Sequence, residues 1–98
     1  MNDVHRELID VFKEARTLLA RADNNFLWST WQDSDDAIRT LDELTSQIER
    51  GLLPERSYLS SLFAPTGPIQ EVSISSGWGE DFLAIAQRFD TAVSRVYG

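Results

Sequence analysis

Apolar residues return every three or four positions in three separate stretches of this chain, and that spacing leaves few folds open. Val4, Leu8, Val11, Phe12, Ala15, Leu18, Leu19 and Ala22 fall on one face of a helix. Ala37, Ile38, Leu41, Leu44 and Ile48 define a second stripe, and Phe82, Ile85, Ala86, Phe89, Ala92, Val93 and Val96 a third. A helix with one apolar stripe cannot shield it alone, so the stripes must pack on one another. Phe12, Leu41 and Phe89 lie mid-stripe, where the three helices should meet.

Punctuation along the chain agrees. Asn2 or Asp3 can cap the first helix, and Asp23-Asn24-Asn25 ends it. Asp33 or Ser34 can cap the second, with Asp35 and Asp36 in its first turn, where the helix dipole favours acids. Asp35–Arg39 and Arg39–Glu43 are i,i+4 pairs on its outer side, and Arg50-Gly51 is a stop signal. Pro54 opens a short helix reaching Phe63, and Pro65-Thr66-Gly67-Pro68 breaks it. Glu80 and Asp81 open the last helix after a Ser76-Gly77-Trp78-Gly79 loop.

Two segments read less clearly. Phe26 to Trp31 is aromatic and too short for a good helix, so it is either extended or a tight helical turn on the core. Val72-Ser73-Ile74-Ser75 alternates like a strand, yet Pro68 can also start a short helix with Ile69 and Val72 on one face. A single strand needs a partner, and only 26–31 qualifies; irregular or short helical structure is favoured for 69–76, because the rest of the chain reads as helical. The 98 residues suffice for one core. The expected fold is all-α, a single domain over 1–98. It is a compact bundle of three long amphipathic helices with one or two short ones and an irregular Ser/Gly/Trp loop.

Sixteen acids stand against nine bases, giving a net charge of −7. Residues 23–50 hold seven of the acids and two of the bases, a net −5. Such a surface repels phosphate backbones, so nucleic acid is not an expected partner, whereas a basic protein is. No apolar run approaches the roughly 20 residues of a membrane span. The N-terminal residues have no apolar signal core, and there is no cysteine. The expected setting is the cytoplasm.

Motifs for chemistry are sparse. His5 is the only histidine, and with no cysteine a Ser–His–acid or Cys–His centre would rest on it alone. It reads as a solvated side chain. Asp33-Ser34-Asp35-Asp36 resembles the start of a calcium loop but fails at the fifth, sixth and twelfth positions, which are Ala37, Ile38 and Leu44. Ser75-Ser76-Gly77-Trp78-Gly79 has neither the spacing nor the lysine of a phosphate cradle. No cofactor or metal is expected. Glu71, Trp78 and Glu80 are the residues on which a small-molecule or hydrolytic site could be built.

Trp28, Trp31 and Trp78 all lie in connections rather than on stripes. Core packing is the favoured reading. Exposed, they would form part of a recognition surface, because loops carry function and tryptophan is enriched at interface hot spots.

The run Phe63 to Phe82, with Ser75-Ser76-Gly77-Trp78-Gly79-Glu80-Asp81 at its end, resembles a segment of a small bacterial domain family of unknown function. Phe26, Trp28, Ser29 and Trp31 resemble an upstream part of the same pattern, so the resemblance spans about residues 16–90. It implies no activity, only that the loop region is more than a linker.

The leading functional expectation is a small acidic protein-binding module, in the style of an inhibitory or toxin-neutralising partner. Its expected surface comprises Trp28, Trp31, Asp35, Asp36, Asp42, Glu43 and Trp78. The alternatives are the Glu71–Trp78–Glu80 site and a structural homo-oligomer.

Overall fold

The computed structural model describes residues 3–27 and 29–98. Asn2 and Trp28, and the side chains of Asp3 and Val4, lie outside the described residues. The chain forms five helices: α1 (Asp3–Leu19), α2 (Ser34–Glu49), α3 (Arg56–Leu62), α4 (Pro68–Ser76) and α5 (Gly79–Tyr97). No strand occurs among the described residues.

α1 is the axis of the packing. It lies against both α2 and α5, α5 also carries α4, and no comparable contact joins α2 to α5. A helix with neighbours on two sides must bury more than one stripe. Ile9 is accordingly buried together with Leu8, Val11, Phe12, Ala15, Leu18 and Leu19. The periodic reading left Ile9 out and took the stripe to Ala22, but Ala22 is exposed and α1 stops at Leu19. Asn24 terminates it by folding back, its side-chain amide donating to the Leu18 carbonyl at 2.8 Å.

α2 begins and ends on local chemistry. The Asp33 carboxylate accepts from the Asp36 amide at 2.9 Å, and the Asp36 carboxylate accepts from the Gln32 amide at 3.2 Å. Two otherwise orphaned donors are thereby satisfied at one helix start. At the other end Gly51 turns left-handed, at φ 79°. That lets the Leu52 amide reach the Gln47 carbonyl and the Gly51 amide the Ile48 carbonyl, a Schellman closure.

Residues 69–76 are helical. Ile69, Val72 and Ser73 are fully buried on one face, and Ile74 is 65% exposed. A strand would have put Val72 and Ile74 on the same side. Ser73 tolerates burial because its hydroxyl donates to the Gln70 carbonyl at 2.8 Å. The expected Ser/Gly/Trp loop contracts to Gly77 and Trp78. Gly77, at φ 84°, brings the Trp78 amide back to the Ser73 carbonyl at 2.9 Å.

The core closes on three aromatic rings. Phe63, just beyond α3, stacks on Phe89 of α5 with centroids 4.2 Å apart and on Phe12 of α1 at 5.7 Å. Phe12, Leu41 and Phe89 are all buried as their mid-stripe positions imply, but Phe63 lies between the first and the last. Two ion pairs set the course of α5 along α1. Arg95 grips Glu7 at 2.8 Å and Arg88 pairs with Glu14, so the helices run antiparallel. A third, Arg16–Asp42 at 2.8 Å, joins α1 to α2. All are about half exposed, so each is worth roughly 0–1 kcal/mol, and they specify register more than stability. The Tyr97 hydroxyl donates to the Pro54 carbonyl, tying the α2–α3 connection to the end of α5. Burial raises the Tyr97 phenol above its ordinary pKa, with Arg56 opposing. That contribution is therefore complete at neutral pH and is lost as the pH climbs from the ordinary tyrosine range through the raised value.

Two substitutions test this core in urea denaturation. Phe63→Ala should cost about 3–5 kcal/mol, because it removes the ring between two others. A loss within the scatter of surface variants would mean that the stack does not hold the helices together. Gly67→Ala should cost about 1–3 kcal/mol, since an added Cβ would stand 2.3 Å from the Ser61 carbonyl oxygen and 3.0 Å from that of Leu62. Unchanged stability there would show that the α3–α4 turn is not tightly closed.

Candidate interaction surface

Trp31 and Trp78 do not belong to an exposed surface. They are 8% and 3% exposed and form part of the core. The Trp78 indole N–H donates to the Asn24 side-chain oxygen at 2.8 Å, so its one polar atom is satisfied inside. Asn24 thereby holds the end of α1 with its amide group and the start of α5 with its oxygen. Trp31 covers the approach to α2, where its amide donates to the Ser29 hydroxyl. Large rings in connections close the ends of helices here, and their apolar area is what makes them suited to it. Trp28 lies outside the described residues.

The segment around Phe26 is irregular. Asn25 forms an Asx turn by accepting from the Leu27 amide, and its own amide donates to the Ser76 hydroxyl at 2.9 Å. The segment thus meets α4 through a side chain and not through a strand ladder. Phe26 packs half-buried on the core while Leu27 is 75% exposed.

The acidic residues of α2 divide by role. Asp36 is half-buried and completes the helix start, and Asp42 is exposed but paired with Arg16. Asp35, Glu43 and Glu49 are exposed and enter no ion pair among the described residues. The i,i+4 partners expected around Arg39 do not close into ion pairs there either. Asp35, Asp42 and Glu43 border a shallow depression along the outer side of α2, together with Arg39, Arg50 and the half-buried Ile38. Off-stripe polar positions of an amphipathic helix are legible from sequence, which is why this face was anticipated.

The residues of the hydrolytic alternative do not all line one depression. Trp78 and Glu80 line a depression at the α4–α5 corner that Glu71 does not join. Trp78 offers it no free N–H, because that group is bonded to Asn24. Asp33 and Asp36 are engaged as helix caps. Among the described residues no three His, Asp or Glu side chains gather as a metal would require, and no helix is long and apolar enough to cross a membrane.

Sequence reasoning did not find the exposed apolar residues. Ile74 and Leu83 are 65% and 58% exposed and line the same corner depression. Leu83 lies off the Phe82–Ile85–Phe89 stripe, a signal available in the sequence. Ile74 could be assigned a side only once 69–76 was known to be helical.

The Asn24 bridge is testable by a double-mutant cycle. Asn24→Ala leaves the Trp78 N–H without its partner and the Leu18 carbonyl with only the Arg21 amide at 3.3 Å, and should cost about 1–3 kcal/mol in urea denaturation. In a Trp78→Phe background the same change should cost distinctly less. Equal costs in both backgrounds would show that the two side chains are not coupled. Comparison with protein-family models, curated protein sequences and solved structures finds no match to this chain, and so bears neither for nor against the resemblance carried by residues 63–82.

Proposed function

We propose that this chain is a protein-binding module that docks a basic partner on the outer side of α2. The observation that carries the reading is the division of labour in that helix. Ala37, Leu41, Leu44 and Ile48 are spent on the core, while Asp35, Glu43 and Glu49 stand exposed with no ion-pair partner among the described residues. Half-buried Ile38 supplies apolar contact in the depression that Asp35 and Glu43 border. Unpaired acids beside a small apolar contact, in a segment whose net charge is −5, speed encounter with a basic partner and select against acidic competitors, although Arg39 and Arg50 border the same depression. Inhibition of a basic protein in the cytoplasm is the form of this role that a small acidic chain suits. The tryptophans have no part in it, since Trp31 and Trp78 are core residues.

A photo-crosslinking residue at exposed Ser46, on α2, should trap a partner in the source cells that the same residue at exposed Ser94, on α5, does not. With that partner purified, the double change Asp35→Asn/Glu43→Gln should slow association about tenfold at low salt and flatten its salt dependence. Asp10→Asn/Asp90→Asn removes the same charge from exposed positions on α1 and α5 and should do neither. Equal effects of the two pairs would mean that net charge, not the α2 face, attracts the partner. A crosslink from Ser94 alone would place the interface elsewhere.

A further inference from the structure

The corner between α4 and α5 is built in a way that the free chain does not need. We infer that it is a second docking site, separate from α2, for a peptide segment that carries an apolar side chain beside a lysine or arginine.

Ile74 and Leu83 come from different helices yet line one depression, and both are more than half exposed. Leaving two aliphatic side chains together in water is unfavourable, and covering them is the natural remedy. Gly79 lines the same depression. It opens α5, where glycine weakens a helix relative to alanine. An added Cβ at Gly79 would meet nothing within 4 Å, and its φ is not left-handed, so neither space nor backbone conformation in the free chain calls for glycine. Gly77 is different, because its φ of 84° is required for the turn. A bare backbone at Gly79 allows a second chain to approach closely.

The polar groups define that second chain. Glu80 and Asp81 are exposed on the rim and form no ion pair among the described residues. They turn away the anions that a helix start would otherwise attract, and they favour a cation. No side chain caps α5, so its first amides are open to the carbonyls of an arriving backbone. Gln70 borders the depression, and its side-chain oxygen is buried without a hydrogen-bond partner. A small turn of that side chain would offer it to a donor from the segment. An apolar side chain between Ile74 and Leu83, a cation over Glu80 and Asp81, and a backbone laid across Gly79 answer these features together.

A displayed library of random peptides, panned on the intact chain, provides the probe. Enriched peptides should share an aliphatic or aromatic residue within a few positions of a lysine or arginine. Titrated into isotope-labelled protein, the best of them should shift the amide signals of Ile74, Leu83 and 77–81. Gly79→Ala should keep or raise the melting temperature and lower the affinity at least tenfold, and Leu83→Ser should lower it comparably. Asp35→Asn/Glu43→Gln should leave it unchanged, so that failure of the α2 reading and failure of this one are told apart. The inference is overturned if panning yields no such consensus, if the shifts map to another face, or if Gly79→Ala binds as well as the parent. Concentration-dependent self-association that shifts the same signals without peptide would also overturn it, by assigning the corner to a second copy.

Discussion

α1 has to serve two neighbours that do not cover one another. α2 and α5 each lie against it, and no comparable contact joins them. A helix shared in this way must bury apolar side chains on two sides, at close packing. The segment that connects α2 to α5 adds buried side chains of its own. α3 is only seven residues long, too short to be stable by itself, yet it delivers Leu59, Leu62 and Phe63 to the interior. The Phe63 ring then lies between Phe12 and Phe89. The tight α3–α4 turn at Gly67 and the start of α4 at Pro68 follow from having to leave that buried position at once.

The ends of the helices are closed by a second device. Asn24 and the two described tryptophans stand where α1 stops and α2 and α5 begin. A helix terminus exposes polar backbone groups, and a large ring brought against it must not leave its own N–H stranded. One asparagine answers both needs, accepting from Trp78 and donating to Leu18. The exposed acidic side of α2 and the exposed aliphatics of the α4–α5 corner are what remains when these internal demands have been met.

The parts of the fold legible in the sequence are those governed by periodicity and by caps. The stripes of α1, α2 and α5, the Asp33 cap and the Gly51 stop can each be read from neighbouring residues. Ile9 was missed because a stripe assumes one partner, and α1 has two. Residues 69–76 were ambiguous because in eight residues Ile69, Val72 and Ser73 fit a helix face about as well as Val72 and Ile74 fit a strand face. The acids of α2 were legible as off-stripe positions. The burial of Trp31 and Trp78 was not, since residues in connections carry no periodicity and their environment is set by Asn24 and the helix ends around them. The pairing of Ile74 with Leu83 depends on how α4 turns into α5, which no short window of sequence expresses.

The ion pairs between α1 and α5 bear on how the chain can be rearranged. Glu7 meets Arg95 and Glu14 meets Arg88, so seven residues along one helix match seven back along the other. The first turn of α1 and the last turn of α5 consequently lie side by side, while the Asn24–Trp78 bridge and the α4–α5 corner sit at the far end. In such a topology the order of the helices along the chain is separable from their order in space. A short linker from the end of α5 to the start of α1, with a new opening among the exposed residues 51–53, would give a circular permutant with the same neighbours around α1.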